Sequence, residues 1–98
     1  MPMYGLIGKM LAQPGKREEL LAILREGQVP MPGCRSYIIA RDPASAEGLW
    51  ITEVWDDRAS HAASLNLPAV QATIAKARPL IAGFGERFET EPVGGIGI

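Results

Sequence analysis

The sequence predicts a small α+β domain of order β-α-β-β-α-β, with its second helix split in two. Three observations point there. Four stretches rich in β-branched and aromatic residues are separated by stretches with apolar residues at helical spacing. Clusters of Gly, Pro, Asn and Asp punctuate the chain between them. Finally, 98 residues make one domain, spanning residues 1–98, with a thin core, because a chain this short buries only roughly 60–65% of its unfolded surface.

The first strand is Tyr4 to Ala12, in which Tyr4, Leu6, Met10 and Ala12 alternate with Gly5, Ile7, Lys9 and Leu11. Both sets are mainly apolar, as in a strand covered on two faces. Gln13-Pro14-Gly15 turns the chain, and Lys16 to Gly27 follows as a helix with Leu20, Ile23 and Leu24 at helical spacing and Leu21 beside them. Glu18 and Glu19 stand in its first turn, where negative charge suits the helix dipole. Gly27 and Pro30 end it, and Pro32-Gly33 breaks the chain again. Cys34 to Arg41 is the second strand, and the polar run Asp42 to Gly48 turns it into a hairpin with the third. That third strand, Leu49 to Trp55, is the strongest, because Trp50, Ile51, Thr52, Val54 and Trp55 all favour extended backbone. Asp56 or Asp57 caps a short helix through Leu65. Asn66-Leu67-Pro68 starts a longer one, with Val70, Ile74, Ala77 and Ile81 along one face, and Pro79 kinks or ends it. Phe84 to Glu91 is the fourth strand, with Phe84, Glu86 and Phe88 expected on one side. The glycine-rich tail Pro92 to Ile98 is expected to be extended or flexible. This order is the ferredoxin-like arrangement.

Helices cover one face of such a sheet, and the other face here still carries apolar residues. A second copy of the chain is the expected cover, making a homodimer. A net charge of −1 supplies no basic stripe to neutralise phosphates, so nucleic acid is not an expected partner. There is no apolar run of about 18 residues and no signal-peptide layout at the N-terminus, so no membrane association is expected and the expected location is cytoplasmic. A single cysteine, Cys34, makes neither an internal disulfide nor a cysteine-based zinc site, and no structural metal is expected.

From end to end the chain resembles the antibiotic biosynthesis monooxygenase family. The resemblance is carried by Gln13-Pro14-Gly15-Lys16-Arg17-Glu18-Glu19-Leu20, by Pro32-Gly33-Cys34-Arg35-Ser36-Tyr37 and by Thr52-Glu53-Val54-Trp55-Asp56. It continues through Ser64-Leu65, Leu67-Pro68, Val70 and Glu91-Pro92-Val93-Gly94-Gly95. Each piece is weak alone, and the ordered set is specific for a fold rather than for one activity. The resemblance implies a dimeric α/β-barrel with a cavity between sheet and helices in each subunit. It also implies oxygenases that turn hydroxylated arenes or quinols into quinones without flavin or metal, with a haem-degrading branch besides. Where many members carry a histidine nine residues after the strand-three tryptophan, this chain has Ser64, and its own His61 lies six after Trp55. The pocket asparagine of the haem-degrading and polyketide-oxidising branches corresponds to Ile51, which leaves the quinol-type reading.

On that reading the substrates are a small aromatic and O2, no cofactor is used, and a base must deprotonate the dihydroxyarene. His61, the only histidine, is the candidate base; the plain alternative is a surface or packing histidine. Trp55 offers a flat wall to a planar ring, or else a core or interface residue, and Trp50 has the opposite parity. Glu53 is a charge in an apolar strand and is assigned to the substrate site. Its favoured role is an ion pair with Arg35, Arg41 or Arg87, ahead of acid–base work. Tyr37 either hydrogen-bonds a substrate hydroxyl or fills the core. Cys34 lacks a neighbouring base and reads as a small buried residue. The Gly94-Gly95-Ile96-Gly97 run has no helix behind it and so no mechanism for holding phosphate. A non-catalytic module binding a small apolar metabolite is the competing function.

Overall fold

Side chains of a strand alternate between the two faces of a sheet, and this alternation organises the molecule. The computed structural model describes residues 2–98. Its elements are β1 (Tyr4–Ala12), α1 (Arg17–Glu26), β2 (Cys34–Arg41), β3 (Gly48–Trp55), α2 (Arg58–Ser64), α3 (Pro68–Ala77), a 3₁₀ turn (Arg78–Leu80) and β4 (Ile81–Thr90). The four strands form one antiparallel sheet in the order β2-β3-β1-β4. The fold is α+β and ferredoxin-like, with the second helix split into α2 and α3.

Pairing of β1 with β3 puts Tyr4 opposite Trp55, Leu6 opposite Glu53, Gly8 opposite Ile51 and Met10 opposite Leu49. These residues face the helices. The core divides into two clusters on that side. Ala12, Leu20, Leu21, Leu49, Ile51 and Ala77 pack together under α1 and the end of α3. Tyr4, Leu6 and Trp55 form the second cluster, with Met31 and Cys34 against it. Leu20 and Leu49 are completely buried, so truncating either to alanine should cost about 2–5 kcal/mol.

The Arg17 side chain of α1 ties down the turn of the hairpin between β2 and β3. The Arg17 guanidinium donates to the carbonyls of Asp42, Ser45 and Gly48, closest to Ser45 at 2.6 Å. Inside the turn, Asp42 accepts from the Ala44 amide at 2.9 Å and pairs with Lys9 at 3.0 Å.

The fourth strand departs from expectation in two ways. It begins at Ile81 rather than Phe84, because Pro79 closes α3 through the 3₁₀ turn and returns the chain to the sheet early. Ile81 therefore pairs with Ala12 instead of extending the stripe of α3. A register shift between the Gly8–Arg87 and Met10–Phe84 pairs inserts an extra residue into β4. Phe84 consequently takes the parity of Met10, on the helix side, whereas Phe88 pairs with Ile7 and takes the opposite face. The two phenylalanines do not share a side as simple alternation predicts.

The face away from the helices carries Ile7, Leu11, Ile38, Trp50, Val54 and Phe88, with Ile38 and Phe88 more than half exposed. After β4, residues 91–98 contain no helix or strand. No helix among the described residues is long and apolar enough to cross a membrane.

Candidate active site

Tyr37 and Glu53 are direct partners across the β2–β3 ladder, and Trp55 follows Glu53 by two residues. All three thus project from the helix-facing side of the sheet. α2 brings the fourth group. Its cap is Asp57, whose Oδ1 accepts from the Ser60 amide at 2.7 Å. Ser60 in turn packs over Gly33, whose φ of +81° suits glycine and whose missing Cβ leaves room for the serine. This seating places His61 above Trp55 and Tyr4, its ring centroid 5.6 Å and 5.5 Å from theirs.

The four side chains border one cavity of about 140 Å³ between sheet and helices. Leu24 from α1, Met31 from the following loop, and Val70 and Ile74 from α3 give it apolar walls, and Gln28, Ser64 and Thr73 add polar groups at its border. Within it, the Trp55 indole N–H donates to Glu53 Oε1 at 3.0 Å. His61 Nε2 lies 3.8 Å from the same oxygen, too far for a hydrogen bond but within ion-pair range when the imidazole is protonated. Glu53 Oε2 makes no hydrogen bond among the described residues and is not sealed off, so it is the oxygen left free for a ligand.

Burial pushes the Glu53 carboxyl up from its ordinary value, and the Trp55 hydrogen bond, His61 and Arg87 only partly oppose this. Burial also raises the Tyr37 phenol strongly, with the Glu53 charge adding to the effect, so Tyr37 is a hydroxyl donor rather than a phenolate. Cys34 is half-buried, and its thiol is raised by burial and then by Glu53, the reverse of an activated nucleophile.

The ion pairs expected for Glu53 are not formed. Arg35 bonds Asp56 at 2.6 Å, Arg41 is taken by Glu18 of α1, and Arg87 acts on Glu53 only from a distance. Acids on neighbouring loops and helices reach two of these arginines first, which strand pairing alone does not reveal. Trp50 lies on the other face, half-buried, with the Lys9 ammonium 5.6 Å from its ring centroid. Sequence reasoning missed Tyr4, which backs His61 and donates its hydroxyl to Glu89 at 2.6 Å. It also read Val70 and Ile74 as a packing stripe, whereas both line the cavity. Among the described residues, no three His, Cys, Asp or Glu side chains converge as metal ligands would.

An antiparallel sheet covered on one side by split helices, with a cavity between the layers bordered by a histidine, a carboxylate and a tryptophan, defines a small ferredoxin-like α+β domain. The family model for antibiotic biosynthesis monooxygenases matches residues 3–76, and the chain belongs to that family. A crystal structure from Chloroflexus aurantiacus J-10-fl bearing the same family name is 61% identical, covers 98% of both chains and superposes with a TM-score of 0.93. A Caulobacter crescentus CB15 structure of that family name is 18% identical with a TM-score of 0.85, over 95% of this chain and 92% of that one. Protein PA3566 of Pseudomonas aeruginosa is 21% identical with a TM-score of 0.82, over 96% of this chain and 97% of that one. These last two share the fold. Among proteins of curated function none matches the chain.

Proposed function

We propose that this chain is a cofactor-independent monooxygenase that oxidises a quinol or related polyhydroxylated aromatic with O2. The observation that carries the reading is the convergence of His61 and Glu53 in one apolar cavity, beside the flat wall of Trp55. In this reading a planar ring lies between Trp55 and the α3 side chains, and Tyr37, which borders the same cavity, donates its hydroxyl to it.

His61 is the base in this proposal. It takes a phenolic proton, which converts the ring into an electron-rich anion. The anion passes one electron to O2, and the substrate radical and superoxide combine to form a C–O bond. Protonation gives a hydroperoxide, whose O–O bond breaks as the ring C–H proton leaves. One oxygen atom becomes a quinone carbonyl and the other leaves as water, so O2 accepts all four electrons. The carboxylate of Glu53, 3.8 Å from Nε2, stabilises the imidazolium formed in the first step.

We further propose that a second copy of the chain covers the exposed apolar face of the sheet, giving a homodimer. Its support is that Ile38 and Phe88 are more than half exposed on this face, beside the partly buried Ile7, Leu11 and Trp50.

The test is oxygen uptake with a panel of quinols and hydroxyanthrones, in the presence of chelator, for the native protein and His61→Ala. Uptake above autoxidation should fall by roughly 10²-fold or more in the variant. Undiminished uptake removes His61 as base. Absence of uptake across the panel favours the competing reading, a module that binds a small apolar metabolite without turning it over.

A further inference from the structure

A second groove lies on the same side of the sheet, across Glu53 from the cavity. Leu6, Met10, Ile51 and Phe84 wall a space of about 210 Å³, with Glu53 and Arg87 also bordering it. Its floor is Gly8, whose strand partners are Ile51 on one side and Arg87 on the other. A Cβ built on Gly8 would meet nothing within 4 Å, so the space above it is open. Glycine within a strand packs nothing and weakens the strand, and it marks places where a ligand comes close to the backbone. The β4 register shift contributes by turning Phe84 to this side.

The charges in the groove are unequal. Lys9 is held by Asp42 at 3.0 Å and lies over the Trp50 ring. Arg87 is exposed and enters none of the ion pairs among the described residues. Glu86 also borders the groove, and Glu53 closes its far end.

We propose that this groove is a second lobe of the ligand site and takes an aromatic ring bearing a carboxylate, the ring over Gly8 and the carboxylate on Arg87. A guanidinium meets a carboxylate through two parallel N–H···O bonds, which fixes the ring's orientation as well as its charge. The opposite edge of the ring then points toward Glu53, the side chain common to both lobes. On the oxygenase reading above, on which this last step rests, the substrate is a hydroxylated fused-ring aromatic acid rather than a neutral quinol, its carboxylated ring over Gly8 and its hydroxylated ring past Glu53 in the cavity of His61.

Binding of 2-naphthoate and of its uncharged methyl ester, measured by calorimetry at one ionic strength, tests the lobe without any turnover. The acid should bind the native protein about tenfold more tightly than the ester, in keeping with a charge-assisted pair. Arg87→Met should abolish that difference by bringing the acid down to the affinity of the ester. Gly8→Val, which has open space to occupy and should fold normally, should weaken both ligands. Equal binding of acid and ester, an acid preference that survives Arg87→Met, or indifference to Gly8→Val would each overturn the proposal. The two readings fail separately. Naphthoate binding without oxygen uptake on any dihydroxynaphthoate keeps the lobe and removes the oxygenase, whereas uptake on neutral quinols with no acid preference does the reverse.

Discussion

Glu53 sets the electrostatics of the site, and its anomaly was visible in the sequence as a charge inside an apolar strand. What the sequence concealed was its partner. Strand order brings arginines within range, but Arg35 and Arg41 are claimed by Asp56 and Glu18, and the carboxylate turns to Trp55 and His61 instead. Burial raises the folded-state pKa of Glu53 above the ordinary 4.5, so the folded protein holds this proton more tightly than the unfolded chain does. The resulting penalty is fully present above the raised pKa and disappears as pH falls below 4.5. Glu53→Gln should therefore unfold at higher urea than the native protein at pH 7, and the advantage should vanish in acid. Equal midpoints at pH 7 would mean that the carboxylate is fully compensated where it stands. His61 presents the converse case. Its position six residues after Trp55 was readable, but the packing of its ring against Tyr4 depends on α2 crossing the end of β1, which no local pattern encodes.

At the scale of elements, short-range signals were the reliable ones. Asp57 caps α2, Pro68 opens α3, and the Asp42 to Gly48 run makes the hairpin turn, each through chemistry confined to a few residues. Asp57→Ala should cost about 1 kcal/mol, because the Ser60 amide loses its acceptor. Chemical denaturation measures this directly, and the same variant should loosen His61 against Trp55. Gly33→Ala should also destabilise the fold, since φ is +81° and the new methyl would meet the Ser60 side chain at about 2.5 Å. Gly8→Val, by contrast, enters open space at an unstrained backbone and should leave the unfolding midpoint nearly unchanged. β4 was misread for a physical reason. Parity along a strand holds only while pairing is regular, and one extra residue opposite Lys9 moved Phe84 to the other face of the sheet. Bulges of this kind belong to the pairing of two strands rather than to either sequence.

For the whole molecule, apolar residues on both faces of β1 and β3 made the layered architecture readable, because a sheet with no polar side needs two covers. The helices supply one cover. The other face, with Ile38 and Phe88 more than half exposed, is where a second copy is proposed to dock. Ile38→Glu should then sediment as one chain where the native protein sediments as two. An unchanged sedimentation coefficient would move the interface elsewhere. The two lobes around Glu53 exist only in the assembled sheet, since their walls come from all four strands and three helices, and no stretch of sequence holds either lobe. The central claim, that the domain inserts one atom of O2 into a hydroxylated aromatic, is tested most directly by turnover under ¹⁸O2 with mass analysis of the product. Turnover should give one ¹⁸O atom per quinone formed and one O2 consumed per product, with loss of both in His61→Ala. A product free of label, with hydrogen peroxide accumulating in equal amount, would contradict it.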